Sequence, residues 1–365
     1  MKQKYYTLKN ILAKQAHYNL IIGERSNGKT YAVLKYGIEE YFRTNGESRL
    51  AIVRRWKEDL RGKRGASMFE GLVANGEVKK LSKGEWTGVY YYSGRWFFCR
   101  YDEHMKRETA EEPFAYGFAL NEMEHDKSTS YPKVQTILFD EFLTRSYYLP
   151  DEFILFMNVL STIIRDRKGV KIFMCGNTVN QYAPYFKEMG LYKIKEMKQG
   201  EIDVYKYGES ELKVAVEFSD TPNKKKDSDI YFAFDNPKLN MITGKGQVWE
   251  MDIYPHCPVK YLPKEVLFNY FIQFNGDILH AEIIQHDDMI FTYIHRKTTP
   301  IKDFEHDLIY SPDASPRPNI RRKITKPTTS LENKIAYFFT TDKVFYQDNE
   351  VGEIVRNYIK WCHSA

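Results

Sequence analysis

Eight consecutive residues near the amino terminus have the types and spacing that bind phosphate groups. They fit the pattern GxxxxGK followed by Ser or Thr, and they are Gly23, Glu24, Arg25, Ser26, Asn27, Gly28, Lys29 and Thr30. The glycines let the backbone curl so that successive N–H groups point at phosphate oxygens, while the lysine neutralises the β- and γ-phosphates. The threonine hydroxyl is the type of ligand that holds Mg²⁺ beside them. The segment therefore predicts a site for ATP and Mg²⁺.

A second pattern is an apolar stretch that delivers two carboxylates at its end. Residues 134–139 are almost entirely apolar and precede Asp140 and Glu141. In this Walker B position an aspartate binds Mg²⁺, so Thr30 and Asp140 are the predicted metal ligands. Glu141 is the predicted base that orients and deprotonates the attacking water. The pair favours hydrolysis, because a nucleotide kinase needs no water-activating glutamate at this point.

A third polar element follows the next apolar stretch, at the end of residues 170–174. Gly176 and Asn177 come directly after it, and the Asn177 amide is a candidate to hydrogen-bond the γ-phosphate or the lytic water. A Gly-Asn pair after a strand also occurs in simple turns, so both interpretations stay open.

These motifs require strands and helices that alternate along the chain. The apolar runs predict strands at 17–22, 50–53, 134–139 and 170–174, with helices at 30–42 and 151–164. A strand–helix–strand order implies a parallel sheet, and continuous apolar runs suit a sheet covered on both faces. The predicted fold is α/β, with a P-loop NTPase domain of the ASCE type.

The remaining segments predict a second, smaller α+β domain. Residues 201–218 alternate like exposed antiparallel strands, and residues 219–229 form a polar linker candidate. Further strands are expected at 266–274, 278–284 and 289–295, a basic loop or arm at 311–329, and helices within 330–362. The predicted division is residues 1–200, a linker region at 201–240, and residues 241–365.

Composition restricts the class of protein. The 365 residues suit two domains, and 42% hydrophobic with 28% charged residues excludes collagen and wholesale disorder. A net charge of +5 permits nucleic-acid binding without demanding it. We expect no membrane span and a reducing compartment, because no long apolar run occurs and no two of the four cysteines have CxxC spacing. The nine histidines show no HxH or HxxxH pair, so no zinc site is predicted.

Taken together, the motifs resemble the ATPase domain of viral genome-packaging motors. The similarity is strongest to DNA encapsidation proteins of small tailed phages with protein-primed linear genomes, within the larger group of terminase large-subunit-like ATPases. Arg25 resembles the cis-acting arginine of the terminase-type phosphate loop, and Arg54 and Arg55 resemble the end of that family's second strand. Gly176 and Asn177 resemble its coupling motif. The resemblance covers about residues 15–200.

The resemblance implies a partner set and a location. It implies a homo-oligomeric ring, a pentamer, that sits on the capsid portal and uses ATP to drive double-stranded viral DNA into a procapsid. A structural packaging RNA is a further candidate partner, and no membrane is involved. The expected location is the host cytoplasm, with transient attachment to the procapsid.

The resemblance also implies a vestigial RNase H-like nuclease in the second domain, retained for binding nucleic acid or the portal. The acidic candidates there show no diagnostic spacing, and they are Asp277, Glu282, Asp287, Asp288 and Asp342. Nuclease activity is therefore not expected.

Basic residues supply the remaining candidates. Arg165 and Arg167 are candidates for an arginine that reaches a neighbouring subunit's site, although the end of a helix also favours solvated basic residues. Candidate DNA contacts are Lys57, Arg61, Lys63 and Arg64. Candidate contacts to nucleic acid or the portal are Arg317, Arg321, Arg322 and Lys323. Either cluster is alternatively an ordinary exposed basic segment.

Two other functions are compatible with these motifs. The first is a different nucleic-acid-dependent P-loop ATPase, of the helicase or partition type, for which no strand-separating element is evident. The second is a nucleotide-gated structural component with little turnover. The presence of Glu141 beside Asp140 disfavours the second, because a site without turnover has no need of a base.

Overall fold

The computed structural model describes residues 5–125, 130–220, 249 and 251–364. The chain forms two compact units. Of the described residues, the first unit contains 5–145 and 151–220, and the second contains 146–150, 249 and 251–364.

A large, mainly parallel sheet forms the centre of the first unit. Its described strands are β1 (Tyr18–Gly23), β2 (Arg49–Arg54), β3 (Gly88–Tyr92), β4 (Arg95–Tyr101), β5 (Arg107–Thr109), β6 (Ala115–Ala119), β7 (Val134–Asp140), β8 (Lys171–Asn177), β9 (Ile202–Lys206) and β10 (Lys213–Phe218). The order across the sheet is β3-β4-β6-β2-β7-β8-β1-β10-β9, with β5 beside β4. All neighbours from β6 to β10 in this order are parallel, and antiparallel strands occur only at the two ends. The predicted parallel sheet is confirmed, and β3 and β4 form an antiparallel hairpin beside it.

Helices pack against this sheet. They are α1 (Lys9–Leu12), α2 (Lys29–Arg43), α3 (Gly62–Ser67), α4 (Glu70–Ala74), α5 (Glu77–Leu81), α6 (Glu152–Ile164) and α7 (Pro184–Glu188). α2 buries Val33, Leu34 and Ile38 at helical spacing, and its Gly37 lies against Leu50 of β2. Within the described residues, no helix is long and apolar enough to cross a bilayer.

The position of β8 determines where chemistry can occur. β8 lies between β1 and β7, and it is parallel to both. Because parallel strands end at the same edge of a sheet, the carboxyl ends of β1, β8 and β7 are adjacent there. The phosphate loop, Asn177 and the Walker B acids are therefore brought together, although 154 positions separate Gly23 from Asn177. An extra strand between the phosphate-loop strand and the Walker B strand is the ASCE arrangement predicted for this domain.

The first sheet extends past residue 200, into the segment assigned to the linker region. β9 and β10 are antiparallel as predicted, but β10 is not exposed, since it pairs in parallel with β1 and its Val214, Ala215 and Val216 are buried. The charged residue Glu217 makes this strand look exposed in the sequence. In the structure its carboxylate is buried, and Tyr6 compensates it by donating a 2.6 Å hydrogen bond. Residues 221–240 of the predicted linker lie outside the described residues.

The second unit contains a smaller mixed sheet. Its described strands are β11 (Val266–Phe274), β12 (Asp277–His286), β13 (Met289–Arg296), β14 (Ile309–Tyr310), β15 (Ile320–Arg321) and β16 (Val344–Tyr346). β11, β12 and β13 form an antiparallel meander, β14 and β15 add in parallel beside β11, and β16 adds in parallel beside β13. The order β15-β14-β11-β12-β13 agrees with the RNase H-like arrangement that the resemblance implies.

Two helices follow in this unit, α8 (Ser330–Thr340) and α9 (Asn349–Ser364). α9 packs on β11, β13 and β16, and Phe274 contacts both Tyr358 and Trp361 edge-on. Alternate strand residues such as Leu279 and Ala281 are buried, while their neighbours His280 and Glu282 are only half-buried. The face with Leu279 and Ala281 is therefore buried, and the opposite face carries His280 and Glu282 beside apolar residues such as Phe271.

Candidate nucleotide-hydrolysis site

The phosphate loop joins β1 to α2 through two glycines. Gly28 directly precedes α2 with φ of +94°, a conformation that side chains disfavour. Gly23 has φ of +158°, and a Cβ atom there would lie 2.1 Å from the Ser219 hydroxyl oxygen. The turn therefore requires glycine at both positions of the pattern.

Asn27 fixes the shape of this loop from within. Its side-chain amide donates a 2.8 Å hydrogen bond to Ser219 Oγ, and its Oδ1 accepts from the Lys29 backbone N–H at 3.3 Å. Ser219 Oγ in turn donates to the Ile22 carbonyl at 2.9 Å, and the Tyr6 N–H donates to the Asn27 carbonyl at 3.1 Å. Ser219 was not predicted as a site residue, because it follows β10, whose pairing with β1 leaves no local signal in the sequence.

The Lys29 ammonium is buried at the centre of the loop. Nζ donates to the Glu24 carbonyl at 2.6 Å and, at 3.2 Å each, to the Gly23 carbonyl, Asn27 Oδ1 and Asn177 Oδ1. Burial lowers the pKa of Lys29 to about 8, despite the raising effect of nearby acids. These four oxygens accept the hydrogen bonds of the ammonium group that phosphate oxygens would accept once a nucleotide binds.

The Walker B aspartate faces the first helical residues of α2. Asp140 Oδ1 accepts a 2.6 Å hydrogen bond from the Thr30 hydroxyl, and Oδ2 pairs with Arg54 Nη2 at 2.8 Å. Burial nevertheless raises the pKa of Asp140, because desolvation outweighs the lowering effects of Arg54 and Thr30. The site therefore undercompensates the negative charge of this carboxylate.

Magnesium suits this donor set. Mg²⁺ takes oxygen ligands, and Asp140 and Thr30 provide a carboxylate and a hydroxyl whose oxygens lie 2.6 Å apart. A cation here would also supply the charge compensation that the buried carboxylate lacks. The predicted ligands therefore fit the metal.

Glu141 follows β7 with a backbone that non-glycine residues seldom adopt. Its φ is +58°, its side chain is 64% exposed, and its carboxylate pairs with Arg54 Nη1 at 2.8 Å. Such strain is typical of functional positions. Arg54 thus contacts both Walker B acids, whereas its Nε is buried without a hydrogen-bond partner. It was noted in the sequence as part of an Arg-Arg pair but was not named as a site residue.

Asn177 ends β8 inside this site. Its side-chain oxygen accepts from Lys29 Nζ, so the third element meets the phosphate loop. Gly176 and Asn177 both belong to the strand, and a Cβ atom at Gly176 would lie 2.8 Å from the side chains of Phe142 and Leu143. The glycine is therefore required for packing against the segment after Walker B, which argues against the simple-turn interpretation.

The outer part of the loop is more exposed. The side chains of Arg25 and Ser26 are exposed, and Ser26 has φ of +59°. Glu24 is half-buried and accepts a 3.1 Å hydrogen bond from Gln199 Nε2.

Arg165 and Arg167 lie away from the phosphate loop of their own chain. They follow α6 and precede β8, at the amino-terminal edge of the sheet. An arginine at this edge would have to project outward to act on the site of a neighbouring subunit. The Arg167 guanidinium donates to the carbonyls of Ile164 at 3.2 Å and Pro132 at 2.8 Å. These contacts favour a structural role for Arg167. Arg165 is exposed with φ of +50°.

The first predicted DNA-contact cluster comprises Lys57, Arg61, Lys63 and Arg64. A 3-10 turn (Lys57–Leu60) carries Lys57, α3 carries Lys63 and Arg64, and Arg61 lies between the two elements. Lys57 and Arg61 approach Glu122, and Arg64 pairs with Asp59 at 3.2 Å. Lys63 is exposed. Neighbouring acids thus offset part of the expected positive charge.

The second basic cluster comprises Arg317, Arg321, Arg322 and Lys323. Its expected loop is interrupted by β15, which ends at Arg321. Arg321 Nε pairs at 2.8 Å with Glu332, whose side chain is 4% exposed, so Arg321 fixes the start of α8 and is not a free contact. Arg317 stacks over the Phe304 ring at 5.2 Å. Arg322 is exposed and Lys323 is half-buried.

Strand order and site together define the class of protein as a P-loop NTPase of the ASCE type. The sequence profile of the podovirus DNA encapsidation protein (Gp16) family matches residues 1–241. The chain therefore belongs to that family, and the resemblance read from its motifs is confirmed.

Individual relatives agree. The DNA packaging protein of Bacillus phage B103 is 28% identical over 214 residues, which cover 57% of this chain and 58% of that protein. The chain spans about half the length of the curated relatives it matches.

Two solved structures share the fold over nearly the whole chain. A chain of the bacteriophage Phi-29 viral genome packaging motor assembly has 18% identity and a TM-score of 0.58, with 99% of this chain and 100% of that chain covered. A chain of the Phi-28 gp11 DNA packaging motor has 17% identity and a TM-score of 0.53, with 99% and 97% covered.

The pKa of Lys29 gives a testable pH dependence. With a pKa of about 8, roughly half of Lys29 is neutral at pH 8 before phosphates bind, and bound anionic phosphates raise that pKa. ATP binding at pH 8 should therefore take up about half a proton per site, and almost none at pH 6.5. Isothermal titration calorimetry in buffers of different ionisation enthalpy measures this uptake.

The control is Lys63→Ala, which removes an exposed lysine and should retain the uptake. Equal proton uptake at both pH values would contradict the lowered pKa of Lys29.

Proposed function

We propose that this chain is an ATPase that drives double-stranded viral DNA into a procapsid, as one subunit of a ring-shaped packaging motor. The observation that carries the proposal is the convergence of Lys29, Thr30, Asp140 and Glu141 at one edge of the first sheet. Membership of the DNA encapsidation family supports the substrate, and the shared fold with packaging-motor chains supports the assembly.

Each site residue has a distinct task in this proposal. Backbone N–H groups of the loop and the Lys29 ammonium bind the β- and γ-phosphates, while the lysine exchanges its present oxygen partners for theirs. Bound at Thr30 and Asp140, Mg²⁺ would supply charge neutralisation at the phosphate oxygens. Glu141 takes the proton of the attacking water.

Arg54 and Asn177 adjust these groups. Glu141 now pairs with Arg54, so it must leave that pairing before it can act as a base. Asn177 already accepts a hydrogen bond from Lys29, so its amide lies where its hydrogen bonds can change when the γ-phosphate is present. Arg25, exposed on the loop, is the proposed cis arginine on the phosphates.

The proposed partners follow the family and the matched structures. They are double-stranded DNA, the capsid portal, further copies of this chain in a pentameric ring, and a structural RNA. The proposed location is the host cytoplasm and, transiently, the procapsid. The segment from Lys57 to Arg64 is the proposed DNA contact, since a motor that moves any sequence needs phosphate contacts without base readout.

The second unit is proposed to bind and not to cut. Strand β11 comes first along the chain among the strands of the RNase H-like sheet, and none of its nine residues carries a carboxylate. A two-metal nuclease needs an acidic cluster around such a sheet. Binding to nucleic acid or to the portal, through exposed residues such as Arg322, is therefore the proposed role.

ATP hydrolysis by the purified chain tests the proposed activity. Double-stranded DNA should stimulate the rate, and Glu141→Gln should lower it by about 10²- to 10⁴-fold while ATP still binds, because only the base is lost. The matched control, Glu103→Gln, changes an exposed glutamate and should keep the parent rate. Turnover at the parent rate in Glu141→Gln would disprove the assignment of Glu141 as the base. A rate indifferent to DNA would favour another P-loop function, and absent turnover would favour a structural component.

The proposed trans-acting arginine has a separate test. Arg165→Ala should spare ATP binding but abolish turnover, since the residue serves a neighbour's site. Mixing it with Lys29→Ala should restore some activity, because a competent site of one variant then meets the intact arginine of the other. Lys168→Ala, an exposed neighbour, is the control that should retain full turnover. Absence of rescue in the mixture would argue against a shared site.

A further inference from the structure

Three potential metal ligands meet on one face of the second sheet. They are His280 and Glu282 of β12 and His295 of β13, and one ligand atom from each lies within 4.8 Å of the other two. None of the three belongs to the nucleotide site, which lies in the other unit. All three side chains are half-buried.

Strand register explains why these residues converge. His280 and Glu282 are two residues apart, so they project from the same face of β12. His295 is paired directly with His280 across the antiparallel β12–β13 ladder. The sequence shows no zinc-type spacing, because the two histidines are joined by a hairpin and lie 15 positions apart.

Each histidine has an outer partner that orients its ring. Nδ1 of His295 lies 3.1 Å from the Arg296 carbonyl, which directs Nε2 toward Glu282, at 3.4 Å from Oε2. Nε2 of His280 lies 2.8 Å from Asn269 Oδ1, which leaves Nδ1 for a ligand. Metal-binding histidines characteristically have such second partners on the ring nitrogen that does not bind the metal.

A hydrogen bond to the carboxylate and stacking of the two imidazole rings also hold these side chains in place. The Tyr261 hydroxyl donates to Glu282 Oε2, which fixes the carboxylate. The His280 ring stacks on Phe271 with centroids 5.0 Å apart, and the His295 ring stacks on Tyr293 at 5.5 Å. The three side chains are therefore positioned by surrounding residues and are not a chance group on a mobile surface.

We propose that His280, Glu282 and His295 bind a divalent transition-metal ion, with Zn²⁺ as the ion of choice. Two imidazoles and a carboxylate suit zinc, whose ligand atoms lie about 2.0–2.2 Å from the metal and so roughly 3.3 Å from one another in a tetrahedron. The Glu282–His295 separation of 3.4 Å already matches. All three ligand atoms lie within 4.8 Å of one another, so His280 must move closer to the other two when the ion binds.

This site has an open position. The described residues supply three ligands, so a bound ion keeps room for water or for a group from a partner. It would cross-link β12 to β13 within the second unit. Without metal, the same residues form a histidine–carboxylate ion pair, and the experiment separates the two states.

The test uses the whole 365-residue chain, stripped with a chelator and then titrated with Zn²⁺ against a chromophoric competitor, without ATP and with excess Mg²⁺. We expect about one tightly bound Zn²⁺ per chain, and visible Co²⁺ absorption typical of a four-coordinate site. His280→Gln and Glu282→Gln should each weaken binding by more than about 100-fold, whereas Asn269→Ala, which loses only an outer partner, should weaken it by about 10- to 100-fold.

The matched control is His306→Ala, which removes an exposed histidine of the same unit that pairs with Asp303. It should bind Zn²⁺ like the parent. Circular dichroism checks each fold, and the near-isosteric Glu282→Gln serves as the deciding variant if His280→Gln misfolds. Parent protein that takes up no Zn²⁺ at micromolar concentration, or uptake unchanged in Glu282→Gln, would overturn the proposal.

Discussion

The burial of the Lys29 ammonium is the constraint on which the first unit depends. A buried charge is costly unless hydrogen bonds compensate it, and the four oxygens that do so come from the phosphate loop and from the end of β8. The sheet must therefore place β8 beside β1, and the loop must curl tightly enough to present its carbonyls. The same loop geometry presents N–H groups to phosphates, so the packing that tolerates the lysine also forms the binding site.

Two adjacent arginines at the end of β2 have different roles, one structural and one in the chemistry of the site. Arg55 is buried and forms a bidentate pair with Glu152 of α6, with the Tyr185 hydroxyl as a further donor to that carboxylate. Arg54 reaches both Walker B acids. Arg55 thus fixes α6 relative to the sheet, and Arg54 controls the charge at the site. Because β2 lies beside β7, Arg54 reaches the Walker B acids, and Arg55 donates to the carbonyls of Glu141 and Phe142.

Local patterns in the sequence predicted the residues of the candidate site, but they did not reveal which distant strands pair. The phosphate loop and Walker B are contiguous motifs whose chemistry is legible without a structure, and the apolar runs identified β1, β7 and β8. Glu217 made β10 look exposed, since its partner Tyr6 lies 211 positions away. Ser219 and Arg54 were missed as site residues for a similar reason, and the His280–His295 pair depends on hairpin register. Contacts that depend on three-dimensional pairing leave no periodic signal in one sequence.

If Lys29, Thr30 and Asp140 form one nucleotide and magnesium site, the affinity of the chain for ATP depends on Mg²⁺. The equilibrium affinity for ATP, measured with Mg²⁺ and with a chelator, tests this most directly. The parent should bind ATP at least about tenfold more tightly with Mg²⁺, equivalent to about 1.4 kcal/mol. Asp140→Asn should lose most of that gain, whereas Asp166→Asn, at an exposed aspartate, should keep it. Equal affinity with and without Mg²⁺ in the parent, or an undiminished gain in Asp140→Asn, would contradict the account.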